Sequence, residues 1–299
     1  MDVEPQNIRP DNSERRPRQR GSPARYHTGS TEEWADIDCF PSIDIFSGDH
    51  GVTNLCGLDA DSSVLDFFSY FVDRDLLAHY KEQTNLYARQ KLRQLTSGGQ
   101  LTPACRMFGW TGVTLVEVKK FLAIIFHMSI SQKPFIGDHW SQDPCLSCNY
   151  CPNLLTRNRF LQIMSNFHLN DNSLEIKRGE PGYDPLHEVH PLVETICLQF
   201  QQAYLPDHDI MVDEGMCKYR GRIYFKQYLL QKPSKYGMKL CMLSESNSGY
   251  IWNLQIFCGQ SNVVVDIVKN LLGTLVGKGH TLFTDRFYTS PIRARELEK

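Results

Sequence analysis

No stretch of this 299-residue chain approaches the roughly 18–20 consecutive apolar residues that cross a bilayer. Its N-terminus is polar and arginine-rich and lacks the apolar core of a signal peptide. An intracellular protein with no membrane partner is therefore expected, its ten cysteines held mainly as reduced thiols. No glycine-rich phosphate loop and no Ser-His-Asp arrangement stands out, so nothing points to nucleotide or small-molecule chemistry. There is no internal repeat. Charge is also missing locally. Residues 26–73 hold no Lys or Arg against ten Asp or Glu, whereas residues 218–239 hold seven Lys or Arg and no acid. The net charge of −2 conceals this separation. A local basic run can meet phosphate even in a near-neutral protein.

What is present is a globular composition, 41% hydrophobic and 22% charged, at a length that suits about two domains. Residues 1–61 read as a polar disordered arm followed by an acidic linker, because few large apolar groups offset the entropy of ordering. Arg15-Arg-Pro-Arg-Gln-Arg20 in that arm has the composition of a nuclear import signal. From Ser62 the apolar spacing becomes helical: Val64, Leu65, Phe67, Phe68, Phe71, Leu76, Leu77 and Tyr80 recur on one face. A second helix is predicted over 114–129, capped by Thr114 with Glu117 as its capping-box partner. Further helices are predicted over 156–167 and 191–204, the latter with proline in its first turn. Residues 62–205 thus read as a helical domain.

After Pro206 the period shifts towards two. Strands are predicted over 209–213, 223–230, 238–244, 250–258 and 281–284, with a helix over 263–276 and another from about Pro291. The overall class is α+β or α/β, and residues 206–299 match the first half of an RNase H-like domain: an antiparallel meander, a crossover helix and a parallel strand.

Two aspartates 72 positions apart, Asp213 and Asp285, end the first strand and the strand after the helix. Each taken singly also suits a turn or a helix N-cap. Together, on neighbouring strands, they could hold hard divalent cations for phosphoryl chemistry, which needs carboxylates converging from different elements. Asp266 and Glu245 are weaker ligand candidates and read as surface residues. Lys218, Arg220, Arg222, Lys226, Lys232, Lys235 and Lys239, interleaved with Tyr219, Tyr224, Tyr228 and Tyr236, form a candidate DNA-backbone surface.

The runs Val212-Asp-Glu-Gly-Met216, Tyr219-Arg-Gly-Arg222, Lys226-Gln-Tyr228, Lys232-Pro-Ser-Lys-Tyr-Gly237, Thr284-Asp285 and Phe287-Tyr-Thr-Ser290 resemble the core of piggyBac-type transposases. Upstream, Thr84–Ala88, Glu117–Met128, His139-Trp-Ser141, Arg157-Asn-Arg-Phe160, Phe167–Asn172 and His190-Pro-Leu192 follow the same family's order, so the likeness covers residues 63–299. The resemblance implies a helical dimerisation and DNA-binding domain ahead of an RNase H-like catalytic domain. It also implies a nuclear protein, with a homodimer as the partner arrangement to expect in the family's manner. Its partner would be double-stranded DNA, as transposon ends and TTAA target sites. Its ancestral activity would be Mg²⁺-dependent cut-and-paste transposition, with Asp213 and Asp285 as the first two catalytic, metal-binding aspartates. The family's third aspartate, insertion domain and Cys-rich C-terminus would lie beyond Lys299, and Glu296 and Glu298 follow Asp285 too soon to substitute. A DNA-binding chain without catalysis is the resulting expectation.

Three positions depart from the family's pattern: Arg286 replaces the usual Asn after the second aspartate, His190 an Arg, and Glu188 a Lys. The changes at 188 and 190 imply altered DNA contacts, while a cation at 286 would repel Mg²⁺ or grip a phosphate. Cys145-Leu-Ser-Cys148-Asn-Tyr-Cys151 has zinc half-site spacing, with His139 or Cys105 available as a further ligand. The family offers no zinc site here, so these cysteines read as ordinary thiols rather than zinc ligands.

Overall fold

In a computed structural model, residues 45–230, 232, 234–259, 264–289 and 294 are described. The arginine run at 15–20, most of the 1–61 arm, the helix expected from Pro291, and Glu296 and Glu298 lie outside these residues. So does the side chain of Asp266.

The single long helix suggested after Ser62 is two helices, α1 (Val64–Phe71) and α2 (Arg74–Ser97). The break has a local cause. Asp73 is extended and its side chain accepts the Leu76 amide, so it starts a new helix rather than continuing the old one. α2 runs well past Tyr80 because its buried stripe continues through Thr84 and Ala88, residues too small or polar to register as an apolar period. α3 (Leu115–Ile130) opens with the expected capping box, Thr114 accepting the Glu117 amide and Glu117 accepting the Thr114 amide. Glu117 has a second task. Arg159 clamps it with two hydrogen bonds, at 2.6 and 3.0 Å, and stacks over Trp110. That clamp, more than any other cause, holds the Glu117 carboxyl below its ordinary range.

α4 (Tyr150–Leu154) was not anticipated. α5 (Arg157–Met164) and α6 (His190–Ala203) fall where periodicity placed them. Leu76, Leu77, Val118, Phe121, Ile124, Phe160 and Ile163 close into one apolar cluster.

Two short strands, β1 (Gly51–Val52) and β2 (Tyr204–Leu205), pair antiparallel. The main sheet comprises β3 (Asp209–Lys218), β4 (Gln227–Tyr228), β5 (Tyr236–Glu245), β6 (Ile251–Ile256) and β7 (Thr281–Thr284). β5 pairs antiparallel with β3 on one side and with β4 and β6 on the other; β7 lies parallel to β3. The crossover to β7 is α7 (Val264–Leu272), whose Ile267, Val268 and Leu271 cover Ile210, Val212, Cys241, Leu243 and Trp252. Strict alternation along β5 buries Gly237, Lys239, Cys241, Leu243 and Glu245 on this covered face. A Cβ at Gly237 would collide with the Cys217 carbonyl, so glycine sets how closely β3 and β5 approach. The strand expected over 223–230 shrinks to Gln227–Tyr228, the rest of that segment being turn and irregular chain.

The helical and sheet portions meet at α6, where Tyr250 donates to the Phe200 carbonyl at 2.9 Å. They also meet at Glu245. Expected on the surface, Glu245 is only 3% exposed. It accepts from the Tyr204 hydroxyl and the Asp207 amide, each at 3.0 Å, and from Ser248. Burial pushes its pKa up, but those donors outweigh burial and hold the carboxyl below the usual range.

Replacing Glu245 with Ala strands the three donor groups and is expected to cost about 2–4 kcal/mol in urea unfolding. Because the folded-state pKa is depressed, the carboxylate's contribution is present above the ordinary glutamate value of about 4.3 and fades as pH falls through the lower, folded-state value. Glu245→Gln should therefore show a smaller loss of stability on acidification than the parent chain. Equal acid sensitivity in both would rule out this role.

Candidate functional site

The parallel register of β7 on β3 pairs Asp209 with Thr281 and ends with Val212 opposite Thr284. The next residue on each strand is an aspartate. Asp213 and Asp285 thus come level on two adjacent strands; Asp285 follows the end of β7 as expected, but Asp213 lies inside β3, which runs on to Lys218 rather than ending at 213. β7 stops there, while β3 continues six residues further, to Lys218, paired only with β5. Both side chains lie beside this step in the sheet edge.

Their orientation is fixed locally. Asp285 Oδ1 accepts the amides of Phe287 at 2.9 Å and Tyr288 at 3.2 Å, turning the chain back under the sheet. Tyr288 is 1% exposed and its hydroxyl donates to the buried Cys241 Sγ, which anchors that turn. Asp213 Oδ1 accepts the Glu214 amide at 2.7 Å.

A third carboxylate joins them. Oxygen atoms of Asp213, Glu214 and Asp285 lie within 4.8 Å of one another. Glu214 escaped the sequence reading because alternation sends it to the covered face of β3, opposite to Asp213. The available signal was the buried cation that such a carboxylate requires. Lys239, two positions along β5 from Glu214's partner Cys241, lies 3.5 Å from Glu214 Oε1, while Glu214 Oε2 is buried without a hydrogen-bond partner. An all-oxygen donor set of this kind suits a hard divalent cation.

The basic segment does not behave as one surface. Lys218, Arg220, Lys226 and Lys235 line an open pocket of about 710 Å³ with Tyr219, Ser234 and Tyr236. Arg222 is exposed nearby in sequence. Lys232 is half-buried and donates to the Glu214 carbonyl at 3.0 Å, so it braces β3 beside the carboxylates. Lys239 is 7% exposed, 4.2 Å over the Phe287 ring, and paired with Glu214. Its place is inside the sheet rather than on the surface expected for it, because position 239 falls on the covered face of β5.

Arg286, next to Asp285, is exposed. His190 bridges Asp184 at 2.7 Å and Glu194 at 2.9 Å. The bond to Asp184, foremost, raises its pKa. Held between two acids, His190 is engaged within the chain, and Glu188 beside it is exposed.

Residues 63–299 match the DDE_Tnp_1_7 family profile, described as Transposase IS4. The human PiggyBac transposable element-derived protein 5 is 25% identical over 261 residues, covering 80% of this chain and 45% of that protein. The human PiggyBac transposable element-derived protein 3 is 25% identical over 242 residues, covering 75% of this chain and 36% of that protein. The chain therefore spans less than half the length of these curated relatives. Among solved structures, a cryo-EM structure of the piggyBac transposase synaptic complex with hairpin DNA superposes with a TM-score of 0.67 at 22% identity. It covers 83% of this chain and 50% of that one, a likeness of fold.

Removing the buried partner of Glu214 should be costly. Lys239→Met is expected to lose about 3 kcal/mol of unfolding free energy, since a buried charge is left without its counter-ion. Lys235→Ala, at an exposed site, should change stability by no more than about 0.5 kcal/mol. Equal effects of the two in chemical denaturation would show that Lys239 is not a structural cation.

Proposed function

The chain belongs to the piggyBac-type transposase family described as Transposase IS4, and we propose that it is a transposase-derived protein that binds double-stranded DNA. In this reading residues 206–299 form the first half of an RNase H-like domain behind a helical domain spanning 62–205. The strand order, with β6, β5 and β3 antiparallel and β7 parallel to β3, supports that assignment. Activity elsewhere in the family would make the ancestral reaction metal-dependent strand hydrolysis and transfer at TTAA sites, carried out in the nucleus. Among the described residues no helix is long and apolar enough to cross a membrane.

The observation that carries the proposal is the convergence of Asp213, Glu214 and Asp285 at the end of the β3–β7 pairing, close in sequence to a basic pocket. The donor set fits Mg²⁺, and Asp213 and Asp285 would hold it, with the unpartnered Glu214 Oε2 as a third oxygen. A divalent ion bound there would activate water and stabilise charge developing on a phosphoryl oxygen. The protein's own contributions are positional. Asp285 is aimed by the Phe287 and Tyr288 amides, and Lys239 offsets one of three neighbouring negative charges. Lys218, Arg220, Lys226 and Lys235 would grip backbone phosphates and fix the register of the duplex without reading its sequence.

A second reading, DNA binding without catalysis, rests on what the same carboxylates already do. Glu214 is committed to Lys239, Asp285 to a backbone turn, and Arg286 puts a cation beside the second aspartate. The two readings separate in one experiment. A binding-only chain retains its DNA affinity in Asp213→Ala and shows no Mg²⁺-dependent cleavage of transposon-end DNA; cleavage by the parent chain that is abolished in Asp213→Ala establishes catalysis.

Two further outcomes are expected. Mg²⁺ at about ten times its dissociation constant should stabilise the parent chain by about 1.4 kcal/mol, and the Asp213→Asn, Asp285→Asn double variant should gain nothing. An equal response of both would place any bound ion elsewhere. Replacing Lys218 and Lys235 together with Ala should flatten the slope of log K against log salt by about 1.8 for duplex DNA, counting roughly 0.9 per phosphate contact. An unchanged slope would remove this pocket from the DNA interface.

A further inference from the structure

The helical portion brings together a second set of metal-ligating side chains, chemically unlike the carboxylates. His127 lies in the last turn of α3, His139 sits in the 3-10 turn Ile136–Trp140, Cys148 stands two residues ahead of α4, and Cys151 lies in the first turn of α4. Ligand atoms of His127, His139 and Cys151 are all within 4.8 Å of one another. Cys148 Sγ is 3.4 Å from His127 Nε2. These residues come from three different elements and are separated in sequence by up to 24 positions, so chain proximity alone does not explain the cluster.

We propose that His127, His139, Cys148 and Cys151 form a tetrahedral structural zinc site. Cys148 and Cys151 have the Cys-x2-Cys spacing that lets one turn present two thiolates to one ion. With Zn–N of about 2.05 Å and Zn–S of about 2.3 Å, a tetrahedral angle puts nitrogen and sulfur about 3.6 Å apart. The His127–Cys148 separation is already close to that. An independent observation points the same way. His139 is 3% exposed, and its Nδ1 is buried without a hydrogen-bond partner. A buried imidazole nitrogen left unpaired costs free energy that a metal bond would recover. Cys151 is fully buried in the same place.

The donor chemistry selects the ion. Two imidazoles and two thiolates in a closed tetrahedron suit zinc and exclude the hard cations that the oxygen cluster would take. Charge is balanced as well, since two thiolates match one divalent ion. The nearby Lys133 ammonium is occupied by the carbonyls of Asp138 and Leu146. It thereby ties the start of the connection between α3 and α4 to its middle. That connection, from Ser131 to Asn149, has only one short 3-10 turn of regular structure. A metal would pin its two ends, at His127 and Cys148, and its centre, at His139. Cys145 is exposed and takes no part, nor does Cys105.

The test is metal content of the full chain, purified without chelators and measured by plasma mass spectrometry. About one zinc per chain is expected, together with thiolate-to-metal charge-transfer absorption after exchange for Co²⁺. Cys151→Ser and His139→Ala should each lose the metal, while Cys145→Ser keeps it. Chelation should lower the melting temperature of the parent chain and of Cys145→Ser alike. Should the buried variants fail to fold, the parent chain and Cys145→Ser still decide the matter. Folded parent protein with only trace zinc and no cobalt spectrum would overturn the proposal, and so would metal lost from Cys145→Ser.

Discussion

The parallel pairing of β7 with β3 is the constraint on which the rest of the sheet depends. β3 is paired on both sides only over Ile210–Val212, and the elements around it are arranged to allow that. A parallel neighbour cannot be reached by a tight turn. The chain leaves β6, crosses the covered face as α7 and returns, and that crossing supplies Ile267, Val268 and Leu271 to the core. The same pairing decides where chemistry can occur. Four residues of β7 are enough to place Thr284 level with Val212, so the next residues, both aspartates, emerge together. A one-residue slip would send Asp285 to the opposite face and dissolve the cluster.

Convergence of three carboxylates is unfavourable in itself, and the fold compensates in specific ways. Glu214 is matched by Lys239, a lysine buried in a strand and covered by the rings of Phe287, Phe257 and Tyr288. Phe287 and Tyr288 belong to the turn that Asp285 itself nucleates through its carboxylate. One segment, Asp285 to Tyr288, thereby supplies a candidate metal ligand, the turn that aims it and part of the roof over the compensating cation. The buried tyrosine that anchors the turn has its pKa raised, by burial first and then by its bond to Cys241, which keeps it a neutral donor. Site and core are continuous here, and a substitution in one is felt in the other.

What the sequence made legible follows from which signals are local. Asp213 and Asp285 could be read because each closes a short apolar run, and the capping box at Thr114 and Glu117 because it is a three-residue motif. α2 was read short because its buried stripe beyond Tyr80 is carried by Thr84 and Ala88, which no hydrophobic period reveals. Glu214 was missed and Lys239 misread for one reason. Alternation places both on the covered face, and a charged residue in a strand looks like a surface residue until its partner across the sheet is known. Glu245 is the same case, its donors coming from Tyr204, Asp207 and Ser248, on either side of two different strands. The cysteine run had the right spacing, and of the further ligands weighed His139 does lie beside Cys151 while Cys105 does not; His127, carried there by α3, had no sequence signal.

On the two proposals above, the clusters would take chemically different ions. The sheet cluster offers only oxygen and is open at a step in the sheet edge, so any ion there would keep exchangeable positions, as catalytic or DNA-bridging chemistry requires. The helical cluster brings together His127, His139 and Cys151, with Cys148 beside His127, and as the proposed four-ligand site it would leave no open position. Softness alone keeps Mg²⁺ out of the second and makes the first a weak competitor for zinc. A loop as sparsely structured as Ser131–Asn149 would otherwise have to be ordered by Lys133 and a few turns. A closed metal site would tie it to the adjoining α3–α5 core, whose N-terminal end of α3 is held by the Glu117–Arg159 clamp.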